Sequence, residues 1–420
     1  MREELKELRR QIAAGLTETG VTDEALYERI DSALTIWGRK RRLGIREKES
    51  FRKQLFDSFR GMDILQPLLE DDSVTEIMVN GTAGIYIERG SEISRWNRTF
   101  REREPLDDVI QVMAASVNRI VNTSSPIADL RHSDGSRVNI VLPPVAPEGP
   151  VMTIRKFFKD PLTLDRLLEL KALTADAARF LKAAVGCGCN IFISGGTGSG
   201  KTTFLNALSA YIPEEERVIT IEDSLELQLQ GLPNLVRLET RTANLEGENR
   251  ITIRDLIRTA LRMRPNRIVV GEVRGEEALD MLQAMNTGHR GSLSTGHANS
   301  AANMLSRLET MALMGGELPL AAIRSQIASA LDLMIHLGRL PDKRRCVLSV
   351  SEVLGLKGGE IQLADIFRYE RTGGLLFTGH QPEQVQKWEE VYGALPRFDE
   401  KGAFFLAERE AEAAQTLFFA

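Results

Sequence analysis

Residues 191–203, read as IFISGGTGSGKTT, constrain the fold more than any other stretch of this chain. A mostly apolar, β-branched run leads into a glycine-dense turn, and the residues after the turn are typical of a helix, so the pattern predicts strand, loop and helix. The turn matches the spacing G-x-x-x-x-G-K-[ST], with its fixed places held by Gly195, Gly200, Lys201 and Thr202. This order is typical of an α/β domain built on a parallel sheet.

The chemistry of this turn indicates a binding site for nucleotide phosphates. Glycines let successive backbone N–H groups converge where side chains would block a phosphate, and the helix start adds a partial positive charge. Lys201 can reach the β- and γ-phosphates, and the Thr202 hydroxyl is predicted to bind Mg²⁺. A glycine-rich turn that binds nothing would not require these two side chains directly after its last glycine. The predicted nucleotide-binding residues, here called the phosphate loop, are Gly195, Gly196, Thr197, Gly198, Ser199, Gly200, Lys201, Thr202 and Thr203.

Composition excludes several other classes of protein. With 420 residues, 42% of them hydrophobic, the chain can form two or three domains, and its net charge of −5 creates no overall basic field for nucleic acid or acidic lipid. A charged start without an apolar run, and the lack of any bilayer-length apolar stretch, predict a cytoplasmic protein. The cysteines are too few for a disulfide framework or a zinc site and are interpreted as small buried residues: Cys187, Cys189 and Cys346.

The texture of the sequence changes along the chain and predicts separate segments. The predicted boundaries are a helical module over 1–60, an α+β domain over 61–159, a linker over 160–167, a nucleotide-binding α/β domain over 168–356 and a C-terminal extension over 357–420. The helical module has Leu5 and Leu8 on one face and a basic cluster at 39–42, which is interpreted as a solvated helix end. In the extension, residues 381–392 are typical of a charged helix, whose role the sequence leaves open.

Within the α+β domain the alternation of residues predicts particular elements. Residues 76–80 and 85–89 are β-rich and separated by glycines, which predicts a hairpin. Apolar residues recur at helical spacing over 106–121. Residues 137–142 and 151–155 return to a strand pattern on either side of a proline-rich turn.

Two apolar strands downstream of the phosphate loop are each followed by acidic residues. The stretch VITIEDSLEL supplies Glu222, Asp223 and Glu226, and the stretch RIVVGEVRG supplies Glu272. In open α/β sheets ligands lie beyond the carboxyl ends of the strands, so both groups are predicted to face the phosphates. A single acid after a strand is often a helix cap or turn residue, but two such groups after a phosphate loop favour a catalytic role.

Phosphoryl transfer to water needs one acid to orient the attacking water and another to hold the metal. We assign Glu222 to the water and Glu272 to Mg²⁺, the latter through a water ligand. The sequence leaves open which of the two acids takes which role.

A polar run at 285–300, MNTGHRGSLSTGHANS, carries two histidines between helical stretches. A lone histidine is often structural, but the surrounding glycines and hydroxyls predict a polar loop that can hold an imidazole near the γ-phosphate. We favour this sensor role for His297 over His289.

Together these motifs resemble a known family. The ordered set GGTGSGKTT, TIEDSLEL, IVVGEVRG and NTGHRGSLSTGHANS is similar to the Walker A, Asp, Walker B and His boxes of the type II/IV secretion ATPases. The flanking segments DGSRVNIVLPP, TIRKF and RLETMALMGGELPLAAIRSQIASALDLMIHLGRL resemble the CpaF/TadA branch, which powers Tad (Flp) pilus assembly. The resemblance is dense over residues 60–375 and implies a RecA-like P-loop domain preceded by a small α+β, PAS-like domain. The four-cysteine zinc module of the type II branch has no counterpart in the sequence.

The resemblance also implies an ATPase that works as a homo-hexamer. ATP and Mg²⁺ would be clamped between the two domains, with arginines of the N-terminal domain or of a neighbour reaching the phosphates. Carried over residue by residue, this role falls on Arg137 in GSRVN and Arg155 in TIRKF, and further candidates are Arg262, Arg264 and Arg274. An arginine suits spread-out phosphate charge, although a surface ion pair is the alternative for each.

The implied partners are inner-membrane platform proteins, to which a cytoplasmic protein would be recruited peripherally and without direct nucleic-acid contact. Two other functions stay open at this stage. One is a nucleic-acid motor or DNA-transfer ATPase of the same fold, against which the acidic charge balance argues. The other is a nucleotide-gated scaffold with little hydrolysis.

Overall fold

The computed structural model describes residues 7–12, 22–39, 44–60, 62–90, 92–117, 119–132, 134–157, 161–241 and 249–408. The chain divides into two compact units, Met1–Phe158 and Lys159–Ala420. Leu5, the basic residues 40–42 and Asp160 of the predicted linker lie outside the described residues. Within the described ranges, no helix is both long and apolar enough to cross a bilayer.

The first unit begins with a helical hairpin, α1 (Asp23–Arg39) and α2 (Ile45–Arg60). Each helix has an apolar stripe, and the two stripes bury one another. Their shared core consists of Leu26, Ile30, Leu34, Phe51 and Leu55, together with Leu8 and Ile12.

An antiparallel sheet of six strands forms the rest of the first unit, in the order β3-β2-β1-β6-β5-β4. The strands are β1 (Val74–Asn80), β2 (Gly84–Arg89), β3 (Glu92–Arg95), β4 (Ile127–Arg131), β5 (Arg137–Val141) and β6 (Val151–Arg155). The helices of this part are α3 (Gln66–Glu70) and α4 (Arg103–Ser116). Alternate residues such as Ile77, Ile87 and Ile154 share one buried cluster with Leu106 and Ile110 of α4. The predicted hairpin over 76–80 and 85–89 is confirmed, while the predicted helix ends at Ser116 rather than at residue 121.

The second unit is built on a nine-stranded sheet, in the order β15-β14-β13-β12-β7-β11-β10-β8-β9. Its strands are β7 (Ile191–Gly195), β8 (Val218–Glu222), β9 (Leu235–Glu239), β10 (Arg267–Val270), β11 (Leu293–Gly296), β12 (Leu333–Arg339), β13 (Arg345–Lys357), β14 (Glu360–Glu370) and β15 (Gly374–Phe377). From β12 to β9 all neighbours run parallel, but β13, β14 and β15 are antiparallel additions. The sheet is therefore mixed rather than purely parallel, and it continues past the expected boundary at residue 356.

Helices cover both faces of this sheet, as the alternation of strands and helices predicted. The helices are α5 (Leu164–Glu169), α6 (Ala175–Gly186), α7 (Lys201–Ser209), α8 (Ile253–Ala260), α9 (Glu277–Asn286), α10 (Ala301–Gly315) and α11 (Leu320–Ala330). Ile191 and Ile193 of β7 share a core with α5, α6 and α7. Phe192, which points to the other face, shares a core with α8 to α11.

The C-terminal segment packs against the sheet domain. It consists of α12 (Gln386–Tyr392) and a hairpin of β16 (Ala394–Phe398) and β17 (Phe404–Glu408). Trp388 is buried and stacks on Phe180 of α6 with 5.4 Å between the ring centroids, and Lys387 pairs with Asp332. The charged helix predicted over 381–392 is thus shorter, because the backbone N–H groups of Glu383 and Gln384 donate to the Glu352 carboxylate and the side-chain amide of Gln381 donates to the Phe398 carbonyl.

Asn190, directly before β7, connects the three central strands. Its backbone N–H donates to Asp332 Oδ2 at 2.6 Å and its amide Nδ2 donates to the Ala330 carbonyl at 2.6 Å, both just before β12. Its Oδ1 accepts from the N–H of Ser292, just before β11, at 3.1 Å. Since Asn190 is 2% exposed, water cannot replace these partners.

We expect the substitution Asn190→Ala to lower the free energy of unfolding of the second unit by about 2–4 kcal/mol, because it strands a buried N–H and a buried carbonyl. Thermal and urea unfolding followed by circular dichroism measure this change. The matched control is Asn286→Ala, which removes one exposed hydrogen bond to the Gln326 carbonyl and should change stability by less than about 0.5 kcal/mol. Equal effects of the two substitutions would contradict the role given to Asn190.

Candidate functional site

The phosphate loop joins the end of β7 to the start of α7, as predicted. Gly198 and Gly200 have φ of +70° and +95°, a left-handed conformation that glycine adopts without strain. At Gly195 the reason for glycine is space, because a Cβ there would lie 2.6 Å from the Leu337 carbonyl oxygen of β12. The backbone is therefore shaped to present N–H groups rather than side chains, which fits a nucleotide phosphate chain.

The Lys201 side chain folds back over the loop and is 8% exposed. Its Nζ donates to the carbonyls of Gly195 at 3.3 Å and Gly196 at 3.2 Å, and lies 3.2 Å from His297 Nδ1. The ammonium group is thus held above the loop, between the first glycines and the predicted sensor histidine. This position suits contact with the outer phosphates of a nucleotide.

His297 connects Lys201 to the acid that follows β10. Its Nε2 lies 2.8 Å from Glu272 Oε1, and Glu272 Oε2 accepts from Arg274 Nη2 at 2.7 Å. Burial, and then the nearby Lys201 charge, lower the pKa of His297, so the ring is neutral at physiological pH. The structure therefore brings together three predicted site residues from separate motifs: Lys201, Glu272 and His297.

Glu222, to which the sequence analysis gave the water-orienting role, points into the protein. It is 3% exposed, and its Oε2 accepts from the backbone N–H groups of Glu226 at 2.7 Å and Leu227 at 2.8 Å. Burial raises the pKa of Glu222 against the lowering effect of these two bonds. A Cβ on Gly271 would lie 2.9 Å from Glu222 Cγ, so the glycine before Glu272 makes room for this side chain. Such a carboxylate is placed to hold the turn after β8.

The turn that Glu222 holds presents Glu226 to the phosphate loop. Thr202 Oγ1 lies 3.4 Å from Glu226 Oε2, and the Glu226 side chain is partly exposed. The sequence analysis named Glu226 without giving it a role, since a glutamate four residues after a strand end can point in several directions. In the structure it is the acid of this motif that faces the predicted Mg²⁺ ligand.

Three other predicted candidates lie away from this centre within the second unit. His289 Nδ1 contacts the Ala284 carbonyl at 3.1 Å, near the end of α9, so the structure places it in a helix cap. Arg262 and Arg264 precede β10 and thus lie at the opposite edge of the parallel strands from the phosphate loop. Arg274, in contrast, contacts Glu272 and lies 3.7 Å from Asp223.

Arg137 and Arg155 belong to the first unit and lie directly opposite one another on β5 and β6. The same cross-strand row continues to Arg131 on β4 and to Glu76 on β1. Since residues directly opposite in an antiparallel pair share a face, the two predicted arginines form part of one charged row on this sheet.

His336 is a site residue that the sequence analysis did not single out. It is 7% exposed, its Nδ1 lies 2.9 Å from Ser194 Oγ, and its ring hydrogen-bonds with the backbone of Asn299. It therefore connects the strand before the phosphate loop to the loop that carries His297. No local motif surrounds His336, so the contact could not be read from the sequence.

The donor chemistry of the site fits a nucleotide with Mg²⁺. The hydroxyl of Thr202 and the carboxylates of Glu226 and Glu272 are hard oxygen donors, which Mg²⁺ prefers, either directly or through its water ligands. The glycines of the loop, of which Gly195 has no space for a Cβ and Gly198 and Gly200 have positive φ, form a cradle for the phosphates together with the Lys201 ammonium.

Comparison with known proteins identifies related sequences over most of the chain. The sequence profile of the family described as Type II/IV secretion system protein matches residues 59–360. A putative conjugal transfer protein of Mycobacterium tuberculosis is 34% identical over 317 residues, which are 74% of this chain and 89% of that protein. VirB11 of the Brucella suis type IV secretion system is 34% identical over 302 residues, 66% of this chain and 84% of that protein. The crystal structure of that VirB11 ATPase with sulphate, matched over 69% of this chain and 95% of the solved chain, has 30% identity and a TM-score of 0.38.

The buried His336 makes stability depend on pH in a defined direction. Burial lowers its pKa in the folded state, so as pH falls below about 6.5 the unfolded chain takes up a proton that the folded chain does not. The contribution of His336 to the free energy of unfolding is fully present above this pH. Below it, the contribution decreases by at most about 1.4 kcal/mol per pH unit. We expect His336→Asn to remove this component, so that the difference in Tm between native protein and variant narrows from pH 7.5 to pH 5.5. A difference that stays constant with pH would contradict the assignment.

Proposed function

The chain belongs to the Type II/IV secretion system protein family, and we propose that it is the hexameric, Mg²⁺-dependent ATPase that powers a Tad (Flp) pilus or a related secretion platform. The observation that carries this proposal is the continuous contact from Lys201 through His297 to Glu272. This contact joins the Walker A, His and Walker B motifs into one proposed centre, which would bind and sense the γ-phosphate and hydrolyse the bond between the β- and γ-phosphates.

The roles of the side chains follow from their positions. The N–H groups of the phosphate loop and the Lys201 ammonium would bind the phosphates, while Thr202 and Glu272 would hold Mg²⁺, Glu272 through water. When bound, the metal neutralises charge that develops on the phosphate oxygens. Nε2 of His297 lies 2.8 Å from Glu272 Oε1 and its Nδ1 lies 3.2 Å from Lys201 Nζ, so a γ-phosphate that draws the lysine away acts on a ring that also contacts Glu272.

Glu226 is the better candidate for orienting the attacking water. It faces Thr202, the proposed Mg²⁺ ligand, whereas Glu222 is buried and its Oε2 accepts from two backbone N–H groups. We therefore transfer the water-orienting role to Glu226 and give Glu222 a positioning role. Their separation of labour explains why one motif carries both acids.

Arg137 and Arg155 are proposed to neutralise phosphate charge in the assembled ring. Their shared row on β5 and β6 gives two guanidinium groups on one sheet face, which suits a dispersed anionic charge. Arg274, held against Glu272, is proposed to keep that carboxylate in position. We propose that a helical module and an α+β domain precede a RecA-like motor domain in the chain. The C-terminal segment packs against the motor domain.

The proposed Tad (Flp) role and its partners rest on the segments DGSRVNIVLPP and TIRKF, which resemble the CpaF/TadA branch. We propose that the protein acts at the cytoplasmic face of the inner membrane, recruited peripherally by platform proteins. A DNA-transfer ATPase is the second candidate, because the M. tuberculosis relative is a putative conjugal transfer protein. Turnover that rises with added DNA and falls steeply with salt would support that candidate. Turnover insensitive to DNA supports the pilus or secretion motor.

Substitutions of Glu222 and Glu226 are expected to lower kcat to different extents. We expect Glu226→Gln to lower kcat by about 10²–10³-fold, because an amide orients and activates water poorly. Glu222→Gln should lower kcat by less than about 10-fold, since its amide oxygen can still accept the N–H groups of Glu226 and Leu227. Steady-state ATP hydrolysis by both variants decides the matter. The reverse order of effects would return the water-orienting role to Glu222.

Ring assembly predicts that activity depends on protein concentration. Specific ATPase activity should rise as hexamers form, with the mass of the oligomer recorded alongside by light scattering. Arg155→Ala should still assemble but lose about 10²-fold or more in kcat, as expected of an arginine that stabilises phosphate charge.

The matched control is Arg89→Ala on the same sheet, where the arginine pairs with Asp71. This variant should assemble and keep its activity. Full turnover by monomers, together with an unaffected Arg155→Ala variant, would contradict the ring motor and favour a self-contained enzyme. Nucleotide binding by the native hexamer without hydrolysis would instead indicate a gated scaffold.

A further inference from the structure

A basic hairpin lies beside the phosphate loop, and its residues have been given no role so far. β12 and β13 are joined by a short turn, and the hairpin carries Arg339, Lys343, Arg344 and Arg345. A Cβ placed on Gly200, the last loop residue before Lys201, would lie 3.8 Å from Cδ of Arg345. The Arg345 side chain therefore runs along the loop at the point where α7 begins.

The register of the hairpin fixes the face on which this arginine lies. Arg339 and Arg345 are directly opposite one another, and both are exposed. Two residues inward along the same strands, Leu337 and Val347 share a buried cluster with Phe204 of α7. Because side chains alternate along a strand, Arg339 and Arg345 lie on the α7 face, where the loop and the first turn of that helix are.

The order of the strands gives the nucleotide a direction. On one side of β7 come β11, β10 and β8, after which lie His297, Glu272 and Glu226. The γ-phosphate must face these groups, since the bond to it is the one that breaks. On the other side of β7 comes β12 and then β13. The remaining end of the nucleotide therefore extends past the start of α7 toward the hairpin.

We propose that Arg345, with Arg339 beside it, forms the subsite for the nucleoside end of ATP, where the α-phosphate joins the ribose and purine. This inference rests on the proposed ATPase function and deepens it. A guanidinium suits this place because it pairs with phosphate oxygens through a planar fork and stacks on an aromatic ring with its face. Arg345 binds substrate without taking part in bond cleavage.

The experiment compares binding of the whole nucleotide with binding of its phosphates alone. Steady-state ATP hydrolysis by the native chain and by Arg345→Ala gives kcat and KM, and ADP and inorganic pyrophosphate are each titrated as inhibitors. We expect Arg345→Ala to raise the KM for ATP and the Ki for ADP about 10-fold, the effect of losing one charge-assisted contact. The value of kcat and the Ki for pyrophosphate should change less than about twofold.

The matched control is Arg344→Ala on the same hairpin, whose side chain pairs with Asp342. It should leave KM, kcat and both Ki values unchanged, and equal thermal stability of the two variants would exclude a folding effect. An unchanged Ki for ADP in Arg345→Ala overturns the proposal, as does an equal rise in the Ki for pyrophosphate. Failure of the native protein to hydrolyse ATP would instead overturn the proposed function itself.

Discussion

The geometry of the candidate site depends on the hydrogen bonds that Asn190 makes at the opposite end of the central strands. They fix β7 against β11 on one side and β12 on the other. Because side chains alternate along a strand, a slip of one residue would turn every side chain to the other face. The phosphate loop, the loop bearing His297 and the hairpin bearing Arg345 follow these three strands. The buried amide of Asn190 therefore supports the register of three strands whose opposite ends carry the candidate site.

A second constraint is that Glu222 and Glu226, two acids of one motif, lie in different environments, one buried and one partly exposed. Burial raises the pKa of Glu222, while two backbone N–H groups favour its charged form. The Oε2 atom of Glu222 is thereby held against the turn that follows β8. Glu226 is partly exposed and gains its position from the turn that Glu222 holds. The fold thus uses a buried acid as scaffold for an exposed one, and Gly271 supplies the space that this arrangement requires.

The sequence predicted those features that depend on local spacing. The phosphate loop, the flanking strand and helix and the acids at strand ends all follow from residues close together in the chain. The direction of Glu222 could not be predicted in this way, because it depends on Gly271, which directly follows β10. His336 and Arg345 also escaped prediction, since their partners Ser194 and Gly200 lie far away in sequence. The antiparallel strands β13 to β15 were missed because alternating βα units suggest a sheet whose strands are all parallel.

The contacts around the loop form a closed circuit within the second unit. Ser194 of β7 contacts His336, and the His336 ring hydrogen-bonds with the backbone of Asn299. Two residues before Asn299, the His297 ring contacts Lys201, whose ammonium group donates to the loop that follows Ser194. The members of such a circuit cannot move independently without breaking a buried hydrogen bond. A phosphate that displaces Lys201 from His297 consequently acts on β7 and β12 together. Since β12 continues into the hairpin at Arg345, the proposed subsite for the nucleoside end belongs to an element that shares this circuit.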